Sequence, residues 1–252
     1  MLTDFEKERY SWQMDVPGVG EAGQERLKQA RVLISRAGGV GGLVAFQLAA
    51  AGVGTLRIAH AGNLKPADLN RQLLMTHDHL GRLRADCIHQ TLSDLNPLIE
   101  IEVIPENLSA ENAPRLVGDV DLVIDCAPLF PERFAMNDEA MRQGKPMIEC
   151  PMYDSDAYLT FFQPGRTGCL RCLHPETPPE WKRRFPVFGA VSGTVACMAA
   201  YEAIKHITGI GTNLRNTLLH CDLATMRFRR LPIERRANCP YCPPADERRS
   251  DA

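Results

Sequence analysis

The sequence predicts an α/β protein, a mostly parallel sheet with helices on both faces. Two observations predict it. Residues 32–34 form a short apolar run that meets a glycine-rich turn, an Ala- and Leu-rich segment stopped by Gly52, and a second strand over 55–59. That order is a strand–loop–helix–strand unit. Strand-like and helix-like segments then alternate as far as residue 150, and such alternation builds parallel sheets.

Residues 2–12 and 21–30 read as helices that lead into the first strand. The glycine turn leaves backbone N–H groups and a helix N-terminus aimed at one spot, which suits a phosphate. Gly38, Gly39 and Gly41 are the candidate contacts. The dinucleotide fingerprint G-x-G-x-x-G reads Arg36-Ala37-Gly38-Gly39-Val40-Gly41 here, so arginine replaces its first glycine. Taken alone, the loop equally describes a helix packed tightly on a strand with no ligand. Residues 64–72 are a polar connection containing Pro66. A helix over 82–95 ends at Asn96-Pro97, where proline forbids continuation. Residues 99–104 alternate apolar and acidic, the pattern of an exposed or edge strand. A helix over 109–117 precedes an apolar strand, 121–125, suited to burial on both faces. A helix over 131–143 and a strand over 146–150 follow.

The second half changes character. Strands are expected at 158–162, 217–221 and 225–231, with a long apolar helix, 191–207, whose Met, Ala and Cys positions read as core. Residues 175–184 are rich in proline and charge and read as a mobile loop. Residues 1–242 read as a single domain and 243–252 as a disordered tail.

At 252 residues the chain can bury a full core. A net charge of -2 gives no reason to expect nucleic acid or an acidic membrane surface as partner. The charged N-terminal segment and the lack of an eighteen-residue apolar run point to a soluble cytoplasmic protein with no membrane partner. Nine cysteines in a reducing compartment suggest metal binding or burial. Cys169-x-x-Cys172 and Cys239-x-x-Cys242 offer two thiolates each, enough for a tetrahedral four-thiolate zinc shell despite the 66 residues between the pairs. Such zinc is structural, having no open coordination position. Four free thiols, two disulfides or a redox pair are the rival readings. Cys87, Cys126, Cys150, Cys197 and Cys221 lie in core-like segments and read as packing residues. Arg71 and Arg84 are candidate phosphate contacts, although either one alone reads as a solvated arginine. His174 and Glu176 read as solvated loop residues.

Together these pieces resemble the ThiF/MoeB/HesA family, relatives of the ubiquitin-activating enzymes. The resemblance runs over about residues 7–242. It rests on Arg9-Tyr10-Ser11-Trp12-Gln13, the 37–41 loop, residues 48–54, Asp68-Leu69-Asn70-Arg71-Gln72, Asp125-Cys126, Arg133 with Asn137, and the cysteine knuckles. Phe185-Pro186-Val187-Phe188-Gly189 is most similar to the HesA branch. The resemblance implies a Rossmann-like sheet extended by antiparallel strands, usually in a homodimer. It implies adenylation: the C-terminal glycine carboxylate of a ubiquitin-like sulfur carrier attacks the α-phosphate of Mg-ATP.

Carried onto this chain, the family pattern is only partly met. Arg71 stands where the family has a phosphate-contacting arginine and so is kept; Arg84 stands where the family has a lysine, so the charge survives but the geometry is not interchangeable. Trp12 replaces an arginine that reaches the neighbouring subunit's nucleotide. His60 replaces the ribose-binding aspartate, and Gly62 the next acid. The family's D-C-T-D-N reads Asp125-Cys126-Ala127-Pro128-Leu129, so Pro128 replaces the magnesium-associated aspartate. Arg36 sets a long cation where backbone should approach phosphate. Removing one such electrostatic partner costs about 2.7–4 kcal/mol of transition-state stabilisation. The expectation is therefore an adenylyltransferase-fold protein that binds a ubiquitin-like sulfur carrier or a peptide, with its own ATP use impaired or lost. It would act as a homodimer or beside an active paralogue. The alternative is an active adenylyltransferase with a rebuilt site, in which Arg36, Arg71 and Arg84 hold phosphates and Asp125 or a nearby acid holds magnesium. A nicotinamide-dependent oxidoreductase is disfavoured, because His60 stands where its ribose-binding acid would be.

Overall fold

A computed structural model describes residues 1–178 and 184–242. The predicted tail, 243–252, and half of the predicted mobile loop, 179–183, lie outside the described residues.

Helices α1 (Asp4–Arg9), α2 (Ser11–Met14) and α3 (Gly20–Gln29) lead to β1 (Arg31–Ile34). The first predicted helix is thus two, broken at Tyr10, whose ring is buried against Gly52 and whose hydroxyl accepts from Asn96. Then come α4 (Gly39–Ala51), β2 (Thr55–Ala59), α5 (Arg84–Leu95), β3 (Glu100–Ile104), α6 (Ala113–Val117), β4 (Leu122–Asp125), α7 (Phe130–Arg142) and β5 (Met147–Glu149). The five strands are parallel in the order β3-β2-β1-β4-β5. β3 is the edge strand that its alternating pattern predicts, and β4 is buried at every residue.

From β5 the sheet continues antiparallel through β7 (Asp156–Phe162), β8 (Thr217–Asp222) and β9 (Arg227–Pro232), with the two-residue β6 (Met152–Tyr153) on β7. Helix α8 (Leu170–Leu173) carries the first cysteine knuckle, and α9 (Gly189–Thr208) is the long helix. One core lies between the sheet and helices α4, α5 and α9; the other lies under α6 and α7. α4 is apolar on all sides because it is sandwiched between the sheet and α9. It stops where Gly52 takes φ 79°, a left-handed cap that costs glycine nothing.

One core expectation fails on α9. Cys197 is exposed, as are Ala190, Thr194 and Tyr201. These residues recur at helical spacing and form the outer stripe of α9, whereas Val195, Ala196, Ala199 and Ala203 face the core.

Candidate functional site

Strand order reverses between β1 and β4, the position at which open α/β sheets bind ligands beyond their carboxyl ends. Here the ends of β1, β2, β4 and β5 open into a cavity of about 200 Å³. Gly38, Gly39, Arg71, Arg84 and Asp125 all line it, together with Arg36, His60 and Pro128. The structure thus brings together the predicted residues of the loop, the 64–72 connection and the β4 end.

Gly41 is the exception. A Cβ there would lie 1.6 Å from the carbonyl oxygen of Arg36, so this glycine lets α4 pack on the strand end and does not line the cavity. The first backbone N–H groups of α4 have no partner within the helix, and Gly38 to Val40 present that end to the cavity.

The cations are where the sequence places them, but most are already paired. Arg36 does not lie along the loop as expected. It turns to Glu132 of α7 and makes two contacts, Nε at 2.8 Å and Nη2 at 2.5 Å, with both side chains largely buried. Arg84, buried at the start of α5, donates to Asp68 at 2.6 Å and to the Ala61 carbonyl at 3.1 Å. Asp68 also accepts from Gln72 at 2.9 Å and from the Lys65 amide at 3.0 Å. Burial opposes the charge of Asp68, yet Arg84 and the Lys65 amide hold its pKa below the usual carboxylate value. Arg71 is half-buried. Its Nη1 donates to Ala67 and Asn70 at 2.8 Å each, and its Nη2 lies 3.8 Å from Asp68.

His60 accepts the Ala37 N–H at Nδ1, 3.2 Å away, and so ties β2 to the glycine loop. Burial, reinforced by the charges of Arg36 and Arg84, holds its pKa down at about 3. The residue in place of the ribose-binding acid is therefore neutral at pH 7.

Asp125 accepts from Ser35 Oγ (3.2 Å), the Ala127 amide (2.9 Å) and Arg133 Nε (3.2 Å). Burial pushes its pKa up despite Arg133. Arg133 also donates to Glu149, which faces Asp125 across the β4–β5 register. Glu149 is 1% exposed, lines the cavity, and its Oε2 has no hydrogen-bond partner among the described residues. A buried acceptor left so costs about 1–3 kcal/mol. Gln72 Oε1 is in the same position, and so, as a donor, is Arg84 Nε.

Sequence reasoning missed both acids, Glu132 and Glu149. The signal for Glu149 was its place at the end of a strand parallel to the one ending in Asp125. Cys126, expected in the core, lies half-buried on the cavity wall, its Sγ 3.9 Å from that of Cys150. It follows the last residue of β4, so it emerges where the sheet stops.

This donor set fits an anion, through α4 and Arg71. It does not fit magnesium. Asp125 and Glu149 are bridged by the Arg133 guanidinium, and Pro128 offers no side-chain oxygen.

The cysteines converge as expected. Sγ atoms of Cys169 and Cys239 are 3.8 Å apart, those of Cys172 and Cys242 are 3.5 Å apart, and all four lie within 4.8 Å. A zinc ion with bonds of about 2.3 Å sets tetrahedral sulfurs about 3.8 Å apart. Without a cation, burial pushes Cys169 up to about 12 and Cys242 upward too, so a metal must displace the protons. Asn137 of α7 accepts the Leu170 N–H, and Asp138 pairs with Arg171, which fixes the first knuckle to α7. His174, expected to be solvated, instead packs edge-on against Phe130.

The ThiF family model matches residues 10–241. This chain belongs to the ThiF family. It is 48% identical over 242 residues to "Protein HesA, heterocyst" of Trichormus variabilis, covering 96% of this chain and 90% of that one. It is 37% identical over 249 residues to the "Sulfur carrier protein adenylyltransferase" of Thermus thermophilus, covering 95% and 92%. Among solved structures, E. coli MccB with MccA-N7isoASN matches with a TM-score of 0.84 at 22% identity, over 94% of this chain and 74% of that one. That last likeness concerns the fold. No helix among the described residues is long and apolar enough to cross a membrane.

Proposed function

We propose that this ThiF-family chain binds the C-terminal tail of a small ubiquitin-like sulfur carrier or a peptide, in the cytoplasm, and that its own ATP-dependent adenylation is impaired or lost. One observation carries this reading. Arg36 and Arg84, two of the three cations proposed for phosphate, are each held within 2.6 Å by an internal carboxylate. A phosphate would have to compete with Glu132 and Asp68 for them. Pro128 and the neutral His60 remove two further groups that the reaction needs.

In this reading α4 and Arg71 attract the anionic end of the ligand, Arg133 holds the wall of the cavity, and the four cysteines fasten the chain's end through zinc. Zinc supplies a cross-link, with no position left for a substrate. The chain works as a homodimer or beside an active paralogue. The active alternative draws support from the Thermus relative, alike over nearly the whole chain, and from Arg84 Nε, a buried donor on the cavity wall without a partner among the described residues.

ATP–pyrophosphate exchange with di-glycine-tailed carriers separates the two readings. We expect exchange at least 10²-fold below an active relative assayed alongside, the loss expected from even one missing electrostatic partner. Exchange equal to that relative would retire the impaired reading.

A further inference from the structure

The cavity wall has two kinds of unmet demand. The N-terminus of α4, Arg71 Nη2, which lies 3.8 Å from Asp68, and the buried Nε of Arg84, which has no partner among the described residues, offer donors. Glu149 Oε2 and Gln72 Oε1 are buried acceptors without partners among the described residues. Because Arg133 bonds the other oxygen of Glu149, this carboxylate calls for a neutral donor more than for a second cation. One chemical group answers both demands. An extended peptide with a free C-terminus has an anion at its end and backbone N–H groups just before it. The cavity volume, about 200 Å³, falls below the range of roughly 300–1,000 Å³ for larger ligands and suits a tail of small residues.

We propose that the cavity captures the partner's C-terminal carboxylate directly, on α4 and Arg71 with no nucleotide between them, and that Glu149 is the specificity-determining residue, accepting a backbone N–H from one of the last two residues of the tail. This rests on the reading above that the ligand is a carrier or peptide tail. It adds how the tail is held, and which residue reads it. Binding by this route needs neither ATP nor magnesium.

The test uses the full zinc-loaded chain and a fluorescein-labelled decapeptide ending in Gly-Gly, followed by fluorescence anisotropy without nucleotide. Four probes are compared: the free acid, the C-terminal amide, and free acids N-methylated at the last or the penultimate glycine. The amide should bind at least about 10-fold more weakly, and one of the two N-methyl probes about 10-fold more weakly, as for one lost hydrogen bond to a charged group. In Glu149→Gln the single amide oxygen stays with Arg133, leaving an N–H facing the tail. That variant should bind the acid weakly and lose its sensitivity to N-methylation while keeping its sensitivity to the amide. Its melting temperature and zinc content serve as folding controls, and the probe series on the unaltered chain needs no variant at all.

If the acid binds and both N-methyl probes bind equally well, the role of Glu149 is overturned and the tail-binding reading survives. Binding only with Mg-ATP overturns direct capture together with the impaired reading. No binding under either condition overturns tail binding itself.

Discussion

Helix α7 touches both polar sites of the molecule, and the two differ in what they leave unsatisfied. Its middle holds the cysteine knuckle through Asn137 and Asp138, where the four thiols lie within 4.8 Å of one another. Its first turns hold the cavity through Glu132 and Arg133, where almost every charge already has a partner from the chain itself. One site gathers four thiols that could share a metal ion. The other already pairs Arg36, Arg84 and Arg133 with carboxylates of the chain itself. The difference teaches that keeping a residue's charge does not keep its availability.

The largest test of this contrast is metal removal. Stripping zinc with a chelator, or changing Cys169→Ser, should lower the melting temperature by more than about 10 °C, because metal binding at such sites is folding free energy. Metal analysis of replete protein should give about one equivalent per chain. A melt unchanged by chelation would remove the knuckle from the structural account.

A smaller effect is expected at Arg36. Changing Arg36→Leu strands a largely buried Glu132 and should cost about 3 kcal/mol in urea unfolding. Adding Glu132→Leu should restore most of it. Equal losses in the single and double variants would mean that Arg36 is held by something other than this pair.

The smallest effect is a pH dependence. Burial and the charges of Arg36 and Arg84 hold the native pKa of His60 at about 3, against an ordinary 6.5. Between these values the unfolded chain binds a proton that the native chain does not, so this term adds stability above pH 6.5 and is lost as pH falls. Going from pH 6.5 to 5, the wild type should lose about 2 kcal/mol more than His60→Gln, which keeps an acceptor for Ala37. Parallel curves would show that His60 titrates normally.

Much of this was legible in the sequence because it is local. The glycine turn, the stop at Gly52, the alternation in residues 100–104 and the paired C-x-x-C spacings are each read within a dozen residues. The identity of the cations was legible too. Their partners were not, because Arg36 and Glu132 stand 96 residues apart and Arg84 finds Asp68 across a turn. An arginine in a phosphate loop reads as a ligand contact until the fold sets a carboxylate beside it. Glu149 was hidden for a related reason: only the parallel register of β4 and β5 places it opposite Asp125. Cys197 and His174 failed the other way, since composition reports which residues a helix or loop contains and not which way each one faces.

The central claim is that the cavity no longer grips a magnesium–nucleotide. Isothermal titration of Mg-ATP into the zinc-loaded chain tests it most directly. The account predicts no saturable heat, meaning a Kd above about 1 mM, corresponding to less than about 4 kcal/mol of binding energy. A one-to-one isotherm in the micromolar range, abolished by Arg71→Gln, would contradict it.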